Sequence, residues 1–86
     1  MITRKILVEK LQDYLYHKIT LDELVDWAEN ALMEEEFDPT DFELLRDIIS
    51  RLGLTDVREF GLMWEDFEDI FSKLGYRVYI KMKEMN

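Results

Sequence analysis

Apolar residues recur at three- and four-residue spacing four times along this chain, and a residue that starts or stops a helix sets off each run. The first stripe is Leu7, Leu11, Tyr14 and Leu15, which predicts a helix over 4–17 with Thr3 as its cap. The second is Leu21, Leu24, Val25, Ala28, Ala31 and Leu32. Thr20 followed by Glu23 before this stripe is a capping box: hydroxyl and carboxylate each satisfy an amide at the helix start. The small residues Ala28 and Ala31 leave room for a neighbouring helix to approach.

Asp38 and Pro39 open the third run, as an N-cap and a proline whose missing N–H costs nothing in the first turn. Phe42, Leu45, Ile48, Ile49 and Leu52 form its buried stripe, and Gly53 is the expected left-handed terminator. Residues 55–60 predict a short helical turn ended by Gly61. Trp64, Phe67, Ile70, Phe71 and Leu74 make the fourth stripe, closed by Gly75.

Beyond Gly75 the period changes from helical to alternating. Tyr76, Val78, Ile80 and Met82 alternate with Arg77, Tyr79, Lys81 and Lys83, which predicts a half-buried strand with its apolar residues toward the helices. The expected fold class is mainly α. It is a compact bundle of about four helices, over 4–17, 21–34, 39–52 and 63–74. A short turn near 55–60 and one C-terminal β-strand over 76–83 complete a single domain spanning 1–86. A strand needs a partner for its N–H and C=O groups. The internal candidates, residues 1–3 and 61–63, are short, so pairing with a second copy or another protein's sheet edge stands beside them.

Charge is sorted along the chain. Residues 22–69 hold seventeen Asp and Glu against three Arg, while residues 1–21 and 70–86 are mildly basic and the total is −9. A nucleic-acid backbone calls for the opposite sign, which disfavours direct DNA or RNA binding. With 48% apolar and 13% aromatic residues the chain is expected to fold, and without cysteine it has no disulfide framework. Arg4 and Lys5 precede only Ile6, Leu7 and Val8 before Glu9, too short for a secretory leader or a membrane span. The expectation is a cytoplasmic protein that engages neither membrane nor nucleic acid.

Few residues point to chemistry. The cluster Glu34, Glu35, Glu36, Asp38 and Asp41 lacks the glycine that a calcium loop requires at its tight turn, so a carboxylate metal site is the weakest reading. Glu65, Asp66, Glu68 and Asp69 suit the positive dipole end of the last helix. His17 is the lone histidine and complements the end of the first helix; no nucleophile and base can be assembled around it. Trp27 lies at the edge of the second stripe, where a rim tryptophan also serves as an interface anchor. The expectation is therefore a non-enzymatic binding module without a cofactor. Its partner-binding residues are Trp27, Glu34, Glu35, Glu36 and Asp38, with Tyr76, Val78, Tyr79, Ile80 and Lys81. The partner is either a basic protein or a second copy paired through residues 76–83.

The segment Tyr16-His17-Lys18-Ile19-Thr20-Leu21-Asp22-Glu23-Leu24 resembles the short turn between the first two helices of immunity proteins of the colicin D type. In length and charge, too, the chain is similar to these small, acidic, mainly helical bacterial proteins. The resemblance implies an inhibitor whose acidic face occupies the basic nucleic-acid cleft of a toxic nuclease. It assigns no functional residue.

Overall fold

A computed structural model of the chain describes residues 1–34, 36–79 and 81–85. The first helix, α1, spans Arg4–Leu15; the Thr3 hydroxyl accepts from the Ile6 N–H at its start. It stops two residues earlier than the periodicity predicts. His17 adopts a left-handed φ of 62°, its N–H donates to the Tyr14 carbonyl, and the Lys18 N–H donates to that of Asp13. This pair of bonds closes the helix in the manner usually reserved for glycine.

The second helix, α2, spans Leu21–Glu34 and begins with the expected reciprocal cap. The Thr20 N–H donates to the Glu23 carboxylate, and the Glu23 N–H to the Thr20 hydroxyl. Asp38 accepts from the Thr40 N–H and starts a 3-10 turn over Pro39–Asp41, which leads into α3, Phe42–Leu52. Next comes α4, Thr55–Phe60, and then α5, Trp64–Lys73, where the Asp66 carboxylate accepts from the Met63 N–H.

Gly53 does not act as the left-handed terminator expected of it; its φ is −84°. The left-handed glycines are Gly61 and Gly75. After α5, Gly75 donates to the Ser72 carbonyl and Tyr76 to that of Phe71, so this helix ends in the same motif as α1.

The apolar stripes converge on one core. Leu7 and Leu11 of α1 meet Leu24 and Ala28 of α2, Leu45, Ile49 and Leu52 of α3, and Ile70 with Leu74 at the end of α5. The closest association is α2 with α3; Ala28 and Ala31 on α2 are both buried. Tyr14 stacks on Phe67, ring centroids 5.8 Å apart, which joins α1 to α5. Fully burying one Leu or Ile stabilises the fold by about 1.5–3 kcal/mol. Among the described residues no polar or charged side chain is buried. The core is held by apolar contact, and every described charge stays at or near the surface.

Two first-turn aromatics depart from the predicted stripe. Phe42 is 44% exposed and Trp64 39%. Each is the first residue of its helix, where the chain enters from outside the core, so the helical period overstates its burial.

The predicted strand over 76–83 is absent: no residue described there is in a strand, and Ile80 lies outside the described residues. The reason is that both internal partners are already engaged. The Ile2 N–H donates to the Glu36 carbonyl at 2.6 Å and the Asp38 N–H to the Ile2 carbonyl at 2.9 Å, an isolated parallel bridge between Ile2 and Phe37. The Gly61 N–H donates to the Val57 carbonyl, and the Met63 N–H is held by Asp66. Of the alternating apolar residues, Val78 packs against the core, while Tyr76 is half-exposed and Met82 almost wholly exposed.

Candidate protein-interaction surface

Glu36 and Asp38, which follow α2, are positioned by the bridge just described. Ile2 is buried, and its two backbone bonds pin Glu36 and Asp38 on either side of Phe37. The Phe37 ring meets Phe42 edge-on, centroids 5.8 Å apart at 83°. The result is a groove of about 480 Å³ lined by Met1, Leu32, Phe37, Pro39 and Phe42, with Glu36 and Arg46 also at its wall. Met33, beside it in sequence, is strongly exposed. Glu36 is exposed and Asp38 half-buried, its carboxylate committed to Thr40. Of the predicted site residues, Glu35 lies outside the described residues and Glu34 is described for its backbone alone, as the last residue of α2.

A second groove, of about 600 Å³, runs between α1, α5 and the segment after Gly75. Val8, Gln12, Leu15 and Tyr16 line it from the first helix and its end, and Trp64 and Phe71 from α5. Tyr76, Arg77, Val78, Tyr79 and Lys81 complete it. Four of the residues predicted at the C-terminal end therefore come together here, although in a segment without regular structure rather than as a strand. The fifth, Ile80, is not described.

Trp27 belongs to neither groove. It is half-buried on the core, and the Lys10 ammonium sits 5.7 Å from its ring centroid, a cation–π contact between α1 and α2. The predicted partner-binding residues thus fall into three places.

Electrostatics separates the carboxylates that hold the fold from those free to face a partner. Arg58 on α4 reaches Asp22, Asp26 and Glu29 on α2. Arg51 on α3 reaches Asp66 and Asp69 on α5, and Lys73 also meets Asp69. Arg4 meets Asp41. For Asp69, Asp41 and Arg58 these contacts move the titration. The Lys73 and Arg51 hydrogen bonds hold the Asp69 carboxyl below its usual range, and that of Arg4 does the same for Asp41. Arg58 is held above its usual value, chiefly by Asp26. All of these shifts favour the charged form of groups already charged at neutral pH. Glu36, Glu43, Asp47, Asp56, Glu59, Glu65 and Glu68 make no ion pair among the described residues.

No group of three His, Asp or Glu among the described residues is arranged to hold a metal ion. His17 is exposed and lines neither groove. No helix among the described residues is long and apolar enough to cross a membrane.

Sequence reasoning missed the apolar wall of the first groove, because Met1, Leu32 and Phe42 read as core or as chain end. It also missed the exposed stretch Leu54, Phe60 and Met63 around α4. Phe60 follows Val57 at helical spacing, and the one available signal was Gly61, which ends the helix before Phe60 can turn inward. No family model matches the chain, and no characterised protein or solved structure matches it either.

Proposed function

We propose that this protein is a small acidic protein-interaction domain that binds a basic partner protein through the α2–α3 corner and performs no chemistry of its own. The observation that carries this reading is the Ile2–Phe37 bridge, which holds the exposed Glu36 at the wall of an apolar groove. Apolar anchors set in a field of net negative charge supply the two ingredients of a specific interface, a desolvated centre and a steering field, with Arg46 as a cation at the groove wall. Phe42 and Leu32 supply the first, and Glu36 with the net negative charge of residues 22–69 supplies the second. In its finer form the partner is a nuclease whose basic cleft is covered, as in an immunity-type inhibitor, and both proteins meet in the cytoplasm.

The test begins with the product of the gene adjacent to this one, expressed with and without this chain. The expected result is a complex whose affinity falls about tenfold or more on going from low to moderate salt. Glu36→Lys and Phe42→Ser should weaken it, while Glu65→Lys, placed on another helix, should not. A complex insensitive to salt and to both corner substitutions, or a basic neighbour that does not bind, overturns the proposal.

A further inference from the structure

We infer that the α4–α5 turn and the segment after Gly75 form a self-association surface whose occupant is a second copy of this chain. This goes beyond the basic-partner reading and uses other residues.

Tyr16, Trp64 and Tyr79 line one groove, and the exposed Phe60, Met63 and Met82 are close neighbours in sequence of its lining residues. Met63 is the neighbour of Trp64 in sequence, and Phe60 lies four residues before it, within about 14 Å along even a fully extended chain. Met82 follows Lys81, itself a groove residue. Phe60 is 80% exposed, Tyr79 73%, Tyr16 71% and Met82 93%. Taking about 200 Å² for a whole aromatic side chain, the rings of Phe60, Tyr79, Tyr16 and the 39% exposed Trp64 together present roughly 500 Å² to water. The two methionines add to that, approaching the roughly 800 Å² per partner of a standard interface.

Charge complementarity selects the occupant. Asp56, Glu59 and Glu65 flank Phe60 and Met63 and make no ion pair among the described residues. The segment from Tyr76 to Met85 carries Arg77, Lys81 and Lys83 against Glu84 alone, and these cations likewise make no ion pair among the described residues. The chain therefore holds an acidic apolar stretch, 56–65, that contains Trp64, and a cationic apolar segment that lines the same groove as Trp64. When two copies oppose this edge across a two-fold axis, each cationic segment falls beside the other's carboxylates. Side chains carry the contact. It requires no strand pairing.

Sedimentation of the full chain over about a hundredfold range of concentration reads the association directly. The wild type should dimerise. Phe60→Ser with Met63→Ser should raise the dissociation constant by about tenfold or more, since both side chains are solvent-exposed anchors. Lys81→Glu with Lys83→Glu, and separately Asp56→Lys with Glu59→Lys, should each make the chain monomeric. Mixing these two charge-reversed variants should restore a dimer, because each segment then again faces opposite charge. Circular dichroism melting checks that every variant is folded. A wild type that stays monomeric, a dimer indifferent to these substitutions, or a mixture that remains monomeric overturns the inference. Glu36→Lys with Phe42→Ser should dimerise normally, which separates failure of this inference from failure of the basic-partner reading.

Discussion

Arg4 and Asp41 meet at 2.8 Å, and the same guanidinium donates its other nitrogen to the carbonyl of Leu74 at 3.1 Å. One side chain thereby ties the start of α1 to the 3-10 turn before α3 and to the end of α5. A lysine would keep the charge but lose the planar fork that serves two acceptors at once. Arg4→Lys and Arg4→Met should both lower the melting temperature, with Lys in between. Lys5→Met, at the next and exposed position, is the control. Equal melting of all four proteins would refute the tie.

The acid limb of stability should depend on Asp41 and Asp69. Their pKa values are depressed in the folded state, by the Arg4 hydrogen bond and by Lys73 with Arg51. Such groups contribute stability that is complete above the unfolded value and is lost as pH falls through the folded one. Below about pH 4 the wild type should therefore lose stability more steeply than Asp41→Asn with Asp69→Asn. Parallel melting curves against pH for the two proteins would show that these pairs do not matter.

Ile49 and Phe71 sit at the centre of the core, 0% and 4% exposed. Truncating either to alanine removes buried apolar surface and leaves a cavity, at a cost of about 2–5 kcal/mol. Chemical denaturation checks this. Losses below about 1 kcal/mol for both would place them at the edge of the core instead.

The turns make a three-way prediction. His17 holds a left-handed backbone that costs an L side chain about 1–2 kcal/mol, so His17→Gly should stabilise the protein by a part of that. Gly61 combines φ 77° with ψ −171°, a region open essentially to glycine alone, and Gly61→Ala should destabilise. Gly53 is at negative φ, and a methyl group there would meet Glu29 Cγ, the Ile49 carbonyl and Leu32 Cδ1 at 3.6–3.7 Å, ordinary contact distances. Gly53→Ala should be neutral or stabilising by up to about 1 kcal/mol. Any other ordering of the three melting temperatures contradicts these backbone assignments.

Salt should raise the melting temperature. Arg51 and Arg58 engage the carboxylates of α5 and α2, but Glu36, Glu43, Asp47, Asp56, Glu59, Glu65 and Glu68 keep repelling one another. Screening weakens that repulsion more than it weakens exposed pairs, which contribute little. Flat or falling stability between low and moderate ionic strength would mean that the arginines already balance the acidic body.

The helices were legible because their signals are local. Thr3, the Thr20–Glu23 pair, Asp38 with Pro39, and Gly75 each act on amides within a few residues, and each does so in the structure. Central stripe residues such as Leu24, Leu45 and Phe67 were legible for a similar reason, since a helix with one apolar face has one way to bury it. The acidic corner was visible as composition. Its groove was not, because that depends on Ile2 finding Phe37.

By itself, then, the sequence determined the helices, their caps and most of the core, since hydrogen bonds within a turn and the 3.6-residue period need no knowledge of the rest of the chain. Tertiary structure alone decided the fate of residues 76–79 and 81–85. Their alternation is compatible with a strand, but a strand exists only where a second row of backbone groups is free to pair. The stretches at Ile2 and at Gly61 to Met63 had already given theirs to Phe37's neighbours, Val57 and Asp66. Tyr76 to Tyr79 and Lys81 were left to line a groove with α1 and α5, while Tyr79, Met82 and Met85 stay strongly exposed.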